Sequence, residues 1–281
     1  MSAPPAVSVV VPTRDRAAYL RICLASLMAQ DLDEPFEVIV VDDGAHDETR
    51  AVATELGAAI AETGGDAGPN AARNAGLRAA SGALVAFVDD DVEAPPGWLA
   101  AYVEGVRRHP DAEAFGGPIR ARFEGPTPRS CGREEPPITT LDLGPADREA
   151  EFVWGANMAV RRAGFERVGE FDASLPQFGE EEELLTRLRE AGGRVVYLAG
   201  AGLVHRRAGD DARLGALMRG AYVRGRNLRG HDVRRGAPPS LGRELRVLAG
   251  CAWHAVRRRC PQGLVMGAHS LGRITTAVRG R

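Results

Sequence analysis

Three consecutive carboxylates, Asp89-Asp90-Asp91, follow directly on the apolar run Leu84-Val85-Ala86-Phe87-Val88. Like charges crowded into one turn repel, so gathering them in a folded site calls for a cation. Oxygen ligands suit Mg²⁺ or Mn²⁺, and Mg²⁺ is commonly held by one or two carboxylates together with substrate phosphates. The competing reading is a solvated acidic loop. A second acidic group, Glu180-Glu181-Glu182-Glu183, stands between Gly179 and Leu184 at the start of a helical pattern. A helix dipole favours negative charge there, yet four in a row exceed what capping requires.

A further pair of motifs stands just past strand-like runs. Pro12-Thr13-Arg14 is one and Asp42-Asp43-Gly44 the other; the carboxylates of Asp42 and Asp43 could accept hydrogen bonds from a base or ribose. A plain turn is the alternative for Asp-Gly. Asn70-Ala71-Ala72-Arg73-Asn74-Ala75-Gly76 opens a helix whose backbone N–H groups and Arg73 could hold a nucleotide or phosphate. His205, after Leu203-Val204, is the one histidine placed like a ligand, with a structural histidine as the alternative.

The elements that must position these residues read as an α/β pattern. Val7–Val11, Phe36–Val41, the weaker Ala58–Ala61 and Leu84–Val88 read as strands. Between them Tyr19, Leu20, Cys23, Leu24, Leu27 and Met28 recur at helical spacing, and helical patterns also lead up to Leu56 and run from Asn70 to Ala80. Strand–helix alternation with short connections predicts βαβ units and a mostly parallel sheet flanked by helices. Trp98–Arg108 reads as a helix opened by Pro95-Pro96. Residues 117–150 are rich in Pro, Gly and charge with little periodicity and read as a long loop, either a functional lid or a disordered segment. Phe152–Val160 reads as extended, Glu180–Ala191 as a helix, and Arg194–Leu198 and Leu203–His205 as the last extended segments of the acidic part.

The net charge of −2 conceals an asymmetry. Residues 1–205 carry 19 arginines against 34 carboxylates, and residues 206–281 carry 17 against 4, so one part is near −15 and the other near +13. Every basic residue other than histidine is arginine. We therefore expect two parts, a domain over 1–205 and a basic, mainly helical extension over 206–281. The four cysteines are scattered with no CxxC spacing, so neither a disulfide framework nor a zinc site is suggested. No apolar run approaches a membrane span, and the first residues lack signal-peptide regions, so the expected location is cytoplasmic, with peripheral membrane contact through the extension as an addition.

The ordered set VSVVVPTRDR, VIVVDDGAHDET, AARNAGLRAASGALVAFVDDDV, WGANMAVRR and FGEEEELLTRLREAG resembles an inverting family 2 glycosyltransferase with the GT-A fold, over residues 7–205. The resemblance implies a nucleotide-sugar donor (UDP-, GDP- or dTDP-linked), a hydroxyl acceptor and a divalent metal, Mg²⁺ or Mn²⁺. It makes Asp89-Asp90-Asp91 the DXD-type motif, with Asp91 the chief metal ligand and Asp89 and Asp90 serving sugar, ribose or metal. Asp43 would contact the nucleotide base, with Pro12, Thr13, Arg14 and Arg73 also on the donor side. Trp154, Gly155 and Asn157 would lie by the acceptor or sugar, and His205 would complete the metal site. The general base falls on Glu181, where the family commonly has aspartate; its acidic neighbour Glu180 is the alternative.

The chemistry agrees with that resemblance. A divalent ion can neutralise the leaving diphosphate, and a positioned carboxylate can take the acceptor's proton. One carboxylate base without a second carboxylate nucleophile implies single displacement and inversion, whereas a glycoside hydrolase needs two flanking carboxyls. A non-catalytic nucleotide-sugar-binding scaffold is the alternative function; a nucleotidyltransferase would need a glycine-rich loop where Pro12-Thr13-Arg14 stands. In the extension, Leu241, Leu245, Leu248, Ala252 and Val256 share a helical face near Trp253. That face either packs on the acidic domain or a second subunit, or meets anionic lipid. No nucleic-acid-reading motif accompanies the basic charge.

Overall fold

The computed structural model describes residues 5–44, 47–127, 138–175, 180–234 and 236–279. The strands are β1 (Val7–Thr13), β2 (Phe36–Asp42), β3 (Ala59–Glu62), β4 (Leu84–Val88), β5 (Val92–Glu93), β6 (Ala112–Gly116), β7 (Ile119–Phe123), β8 (Arg148–Glu149), β9 (Asn157–Arg161), β10 (Arg194–Tyr197) and β11 (Leu203–Arg207). The helices are α1 (Ala17–Met28), α2 (Asp47–Glu55), α3 (Pro69–Ala79), α4 (Trp98–Arg108), α5 (Arg162–Val168), α6 (Glu180–Glu190), α7 (Leu214–Arg234), α8 (Leu241–Arg258) and α9 (Gln262–Arg279). Phe178 and Gly179 of the acidic motif lie outside the described residues.

An eight-stranded sheet in the order β3-β2-β1-β4-β9-β6-β10-β8 forms the centre. β1 pairs in parallel with β2 and β4, and β2 with β3, as the βαβ pattern predicts. β9 runs antiparallel between β4 and β6. That reversal has a consequence for the site. The carboxyl ends of β1, β2 and β4 share one edge of the sheet, and β9 begins at that same edge, with Val88 opposite Asn157. The residues after β4 and those before β9 therefore meet.

The valine-rich strands are buried on both faces, as continuous apolar runs in a helix-covered sheet should be. Val7, Val9 and Val11 turn toward Leu20, Leu24 and Leu27 of α1 and toward α4, while Val10 turns toward Leu77 of α3 and Leu184, Leu185 and Leu188 of α6. Part of the segment expected to be loop is strand. β6, β7 and β8 fall in or beside residues 117–150, and Ala114 and Phe115 are fully buried.

The chain divides into two compact units: Met1–Ala121 with Thr139–Arg206, and Arg122–Ile138 with Arg207–Arg281. The boundary near residue 206 agrees with the charge switch, but residues 122–138 join the basic unit. In that unit α7 and α9 touch backbone to backbone. A Cβ on Gly225 would lie 2.0 Å from the His269 carbonyl oxygen, and one on Gly272 would lie 2.1 Å from that of Tyr222. Buried Arg273 of α9 donates to Glu244 of α8 at 2.7 Å and to Asp232 of α7 at 2.6 Å, tying all three helices together. No helix among the described residues is long and apolar enough to cross a membrane.

Candidate active site

The aspartate triplet stands where β4 ends, and its three carboxylates differ in burial and in partners. Asp90 is buried and accepts from Thr13 Oγ1 at 2.7 Å and from Arg16 at 2.6 Å. Asp91, also buried, accepts from the other arm of the Arg16 guanidinium at 2.7 Å and meets His205 Nε2 at 2.8 Å. Asp89 is half-exposed, with Arg73 3.7 Å away. His205 reaches this place because β11 pairs antiparallel with β5, setting His205 opposite Val92, and the Arg206 N–H donates to the Asp91 carbonyl at 2.8 Å.

Asp89, Asp91 and His205 can each turn one ligand atom to a common point, the three atoms lying within 4.8 Å of one another. That donor set fits a divalent ion, and its imidazole suits a first-row transition ion such as Mn²⁺ better than Mg²⁺, which prefers oxygen alone. Burial raises the Asp90 carboxyl to about 7, against the pull of Arg16 and Thr13. Burial acts on Asp91 too, but the His205 hydrogen bond and the charges of His205 and Arg16 outweigh it and hold Asp91 well below the usual carboxylate range.

Arg73 joins this cluster to the acidic helix. Its guanidinium, buried on α3, donates to Glu180 at 2.8 Å and to Asn70 at 3.2 Å while its other arm faces Asp89. Glu181 instead accepts the Gly155 N–H at 3.0 Å. Burial, then the neighbouring charge of Glu180, raises the Glu181 carboxyl to about 7, with Arg73 opposing the rise. Gly155 leaves these two side chains their room: a Cβ there would stand 2.7 Å from Glu181 Oε1 and 3.1 Å from Arg73, so both would have to shift. Trp154 beside it is half-exposed, edge-on to Phe152, and donates its indole N–H to the Thr140 carbonyl at 3.2 Å.

The remaining sequence-predicted residues divide. Asp43, after β2, is buried and accepts from Thr63 Oγ1 and from the N–H groups of Ala67 and Gly68 at 2.9 and 3.0 Å, so it shapes the loop that enters α3. Arg14 is exposed and ion-paired to Asp66 of that same loop; Pro12 is half-buried in β1. Asn157 departs from the expectation of a sugar contact. It is fully buried, its amide oxygen accepts from Trp98 and Tyr102, and its nitrogen donates to the carbonyls of Pro118 and Ala201. Its physical role is to anchor the start of β9.

Arg16, bridging Asp90 and Asp91, is the residue that motif reading misses. A signal existed. Arg16 occupies the N-cap of α1, where a cation opposes the helix dipole, a modest cost that nearby anions offset. Its guanidinium also lies over the Tyr19 ring at 4.8 Å, and that of Arg206 lies 5.1 Å from the same ring.

Residues 8–169 match the model of glycosyl transferase family 2. The chain is 34% identical over 202 residues to a pre-mycofactocin glycosyltransferase of Mycobacterium tuberculosis, covering 68% of this chain and 40% of that protein. It is 28% identical over 216 residues to a glucosyl-dolichyl phosphate glucuronosyltransferase of Haloferax volcanii, covering 71% of this chain and 69% of that one. The chain thus spans two fifths of the first relative's length. Among solved structures, a mannosyltransferase from Pyrobaculum calidifontis in complex with GDP-Man and Mn²⁺ superposes with a TM-score of 0.62 at 18% identity, over 99% of this chain and 74% of that one. The fold is GT-A, and by the match of its family model and the identity of its relatives the chain belongs to glycosyl transferase family 2.

Proposed function

We propose that this protein moves a sugar from a nucleoside-diphosphate sugar to an acceptor hydroxyl by a single, inverting displacement assisted by a divalent ion. The observation that carries the reading is Arg73, which ties the Asp89/Asp91/His205 cluster to the Glu180–Glu181 helix start and so makes one site of two acidic groups. Asp91, Asp89 and His205 would hold the ion, Mn²⁺ by the donor argument above; the bound ion would neutralise the diphosphate leaving group. Thr13, Arg14, Asp43 and Asp90 lie on the donor side of the sheet edge, and Arg16 adds a positive charge there. Relatives named for sugar transfer and a fold neighbour solved with GDP-Man and Mn²⁺ support this assignment of the donor class.

Glu181 is the stronger candidate for the base. The carboxylate of Glu180 is held by the Arg73 cation, whereas that of Glu181 is raised to about 7, near the value at which a base works best at neutral pH. The acceptor hydroxyl gives its proton to Glu181 as its oxygen bonds to the anomeric carbon and the bond to the diphosphate breaks. The Gly155 N–H fixes the carboxylate, and the half-exposed Trp154 ring beside it offers an apolar face to a sugar. A scaffold would have no use for a buried, proton-accepting carboxylate at this position.

A thermal-shift screen of UDP-, GDP- and dTDP-sugars with and without Mn²⁺ tests the reading, because a ligand of the folded state raises its melting temperature. One donor series should raise Tm only when Mn²⁺ is present. No shift with any of them would overturn the assignment.

A further inference from the structure

α8 of the basic unit leaves an apolar stripe uncovered. Leu245, Trp253 and Val256 are 49%, 67% and 79% exposed, and Ala249 and Ala252, also exposed, complete a row at helical spacing. At 100° per residue, Arg243, Arg246 and Arg257 fall together on the adjoining flank, and all three are exposed. The single acid of α8, Glu244, is turned away from this surface, buried against Arg273. The sequence alone leaves open what covers this face.

The occupant of such a stripe must accept both hydrocarbon and guanidinium. The four carboxylates of residues 206–281 are already engaged inside the unit: Asp210 with Arg213, Asp211 with Arg207, and Asp232 and Glu244 with Arg273. Residues 122–138 of the same unit add three arginines and three carboxylates, so the excess of arginine over acid in the unit is left as large as before. A second copy meeting this face through the same surface would set one arginine flank against another, so charge opposes self-association here. Nucleic acid would meet the arginines but offers no hydrocarbon to cover Trp253, Val256 and Leu245. An anionic bilayer surface supplies both, with phosphates that guanidinium groups bind in a bidentate manner and an interfacial layer in which tryptophan sits.

We propose that α8 is an interfacial anchor that lies on anionic membrane, Leu245, Ala249, Ala252, Trp253 and Val256 facing the acyl boundary and Arg243, Arg246 and Arg257 the headgroup phosphates. Anchoring of this kind is peripheral and reversible, and it weakens with salt as the charges are screened. It stands independently of the transferase reading, so Asp91→Asn should bind vesicles like the unchanged chain.

Co-sedimentation of the full chain with phosphatidylcholine vesicles, with and without about one third phosphatidylglycerol, tests it. Binding is expected with the anionic vesicles only, falling as salt rises. The double variant Trp253→Glu with Val256→Glu should weaken partitioning by about tenfold or more while melting like the parent, since both side chains are exposed. Replacing Arg243, Arg246 and Arg257 by glutamine should weaken it as well, whereas Trp253→Phe should retain it. Absence of binding at low salt overturns the proposal, as does binding that survives both sets of substitutions. Light scattering that finds a dimer broken by the double glutamate variant, with vesicle binding unchanged, would assign the face to a second copy instead.

Discussion

Glu181 experiences two opposed influences, burial and the adjacent Glu180 charge raising its pKa, the Arg73 guanidinium lowering it, and the outcome near 7 leaves it half ionised at neutral pH. In the proposed reaction only the ionised form accepts a proton, so turnover should climb as pH rises through about 7 and level off above it, measured as kcat at saturating donor. Glu181→Gln should lower kcat by about 10²–10⁴-fold while leaving donor affinity intact. If Glu180→Gln is the inactive variant and Glu181→Gln retains turnover, the base is Glu180.

The same shift has a sign for stability. Between its ordinary 4.5 and about 7 the folded protein holds a proton on Glu181 that the unfolded chain releases, so this group's contribution falls as pH rises across that window. Glu181→Gln, which removes a buried charge, should therefore be more stable than the parent at pH 8, by up to about 3 kcal/mol in denaturant unfolding, and indistinguishable at pH 4. A loss of stability at pH 8 would show that the buried carboxylate is not strained by its surroundings.

At the scale of elements, the site depends on α3 resting close on β1 and β2 and reaching α6. Gly76 allows the first: a Cβ there would stand 2.2 Å from Val10 Cγ1 and 2.9 Å from Val41 Cγ2. Gly76→Ala should cost about 1–3 kcal/mol by overpacking, read from the midpoint of chemical denaturation. Arg73 provides the second. Arg73→Met would leave Glu180 as a buried charge without its cation, a change on the order of 3–5 kcal/mol, and Arg73→Lys should recover part of that loss. A melting temperature unaltered by Arg73→Met would remove the arginine as the link between the two acidic groups.

Much of this element layout was legible in the sequence, for identifiable reasons. β1, β2 and β4 are buried on both faces, which writes them as unbroken valine-rich runs, and α1 and α6 carry leucines at helical spacing. β6 was not legible, because its buried residues, Ala112, Ala114 and Phe115, lie among small and charged neighbours with no β-branched run. The antiparallel course of β9 was not legible either, since a strand's direction is set by its partners and not by its own residues. Asn157 misled for that reason: a polar residue beside Trp154 reads as a ligand contact, yet pairing opposite Val88 carries it into the framework. Arg16 escaped notice because its partners, Asp90 and Asp91, are far along the chain.

For the whole molecule, the charge switch near residue 206 reads directly from composition and coincides with a structural division, whereas the 122–138 segment crosses to the basic unit with nothing in its sequence to announce it. In the proposed reaction the acidic unit binds a nucleotide-linked donor with the help of a metal held by Asp91, and Glu181 is reserved for the transfer itself. Calorimetric titration of the preferred nucleoside diphosphate, with and without Mn²⁺, into the parent protein, Asp91→Asn and Glu181→Gln separates those roles. The prediction is Mn²⁺-dependent binding by the parent and by Glu181→Gln, and its loss in Asp91→Asn with the melting curve still cooperative. Undiminished Mn²⁺-dependent binding by Asp91→Asn would contradict the account.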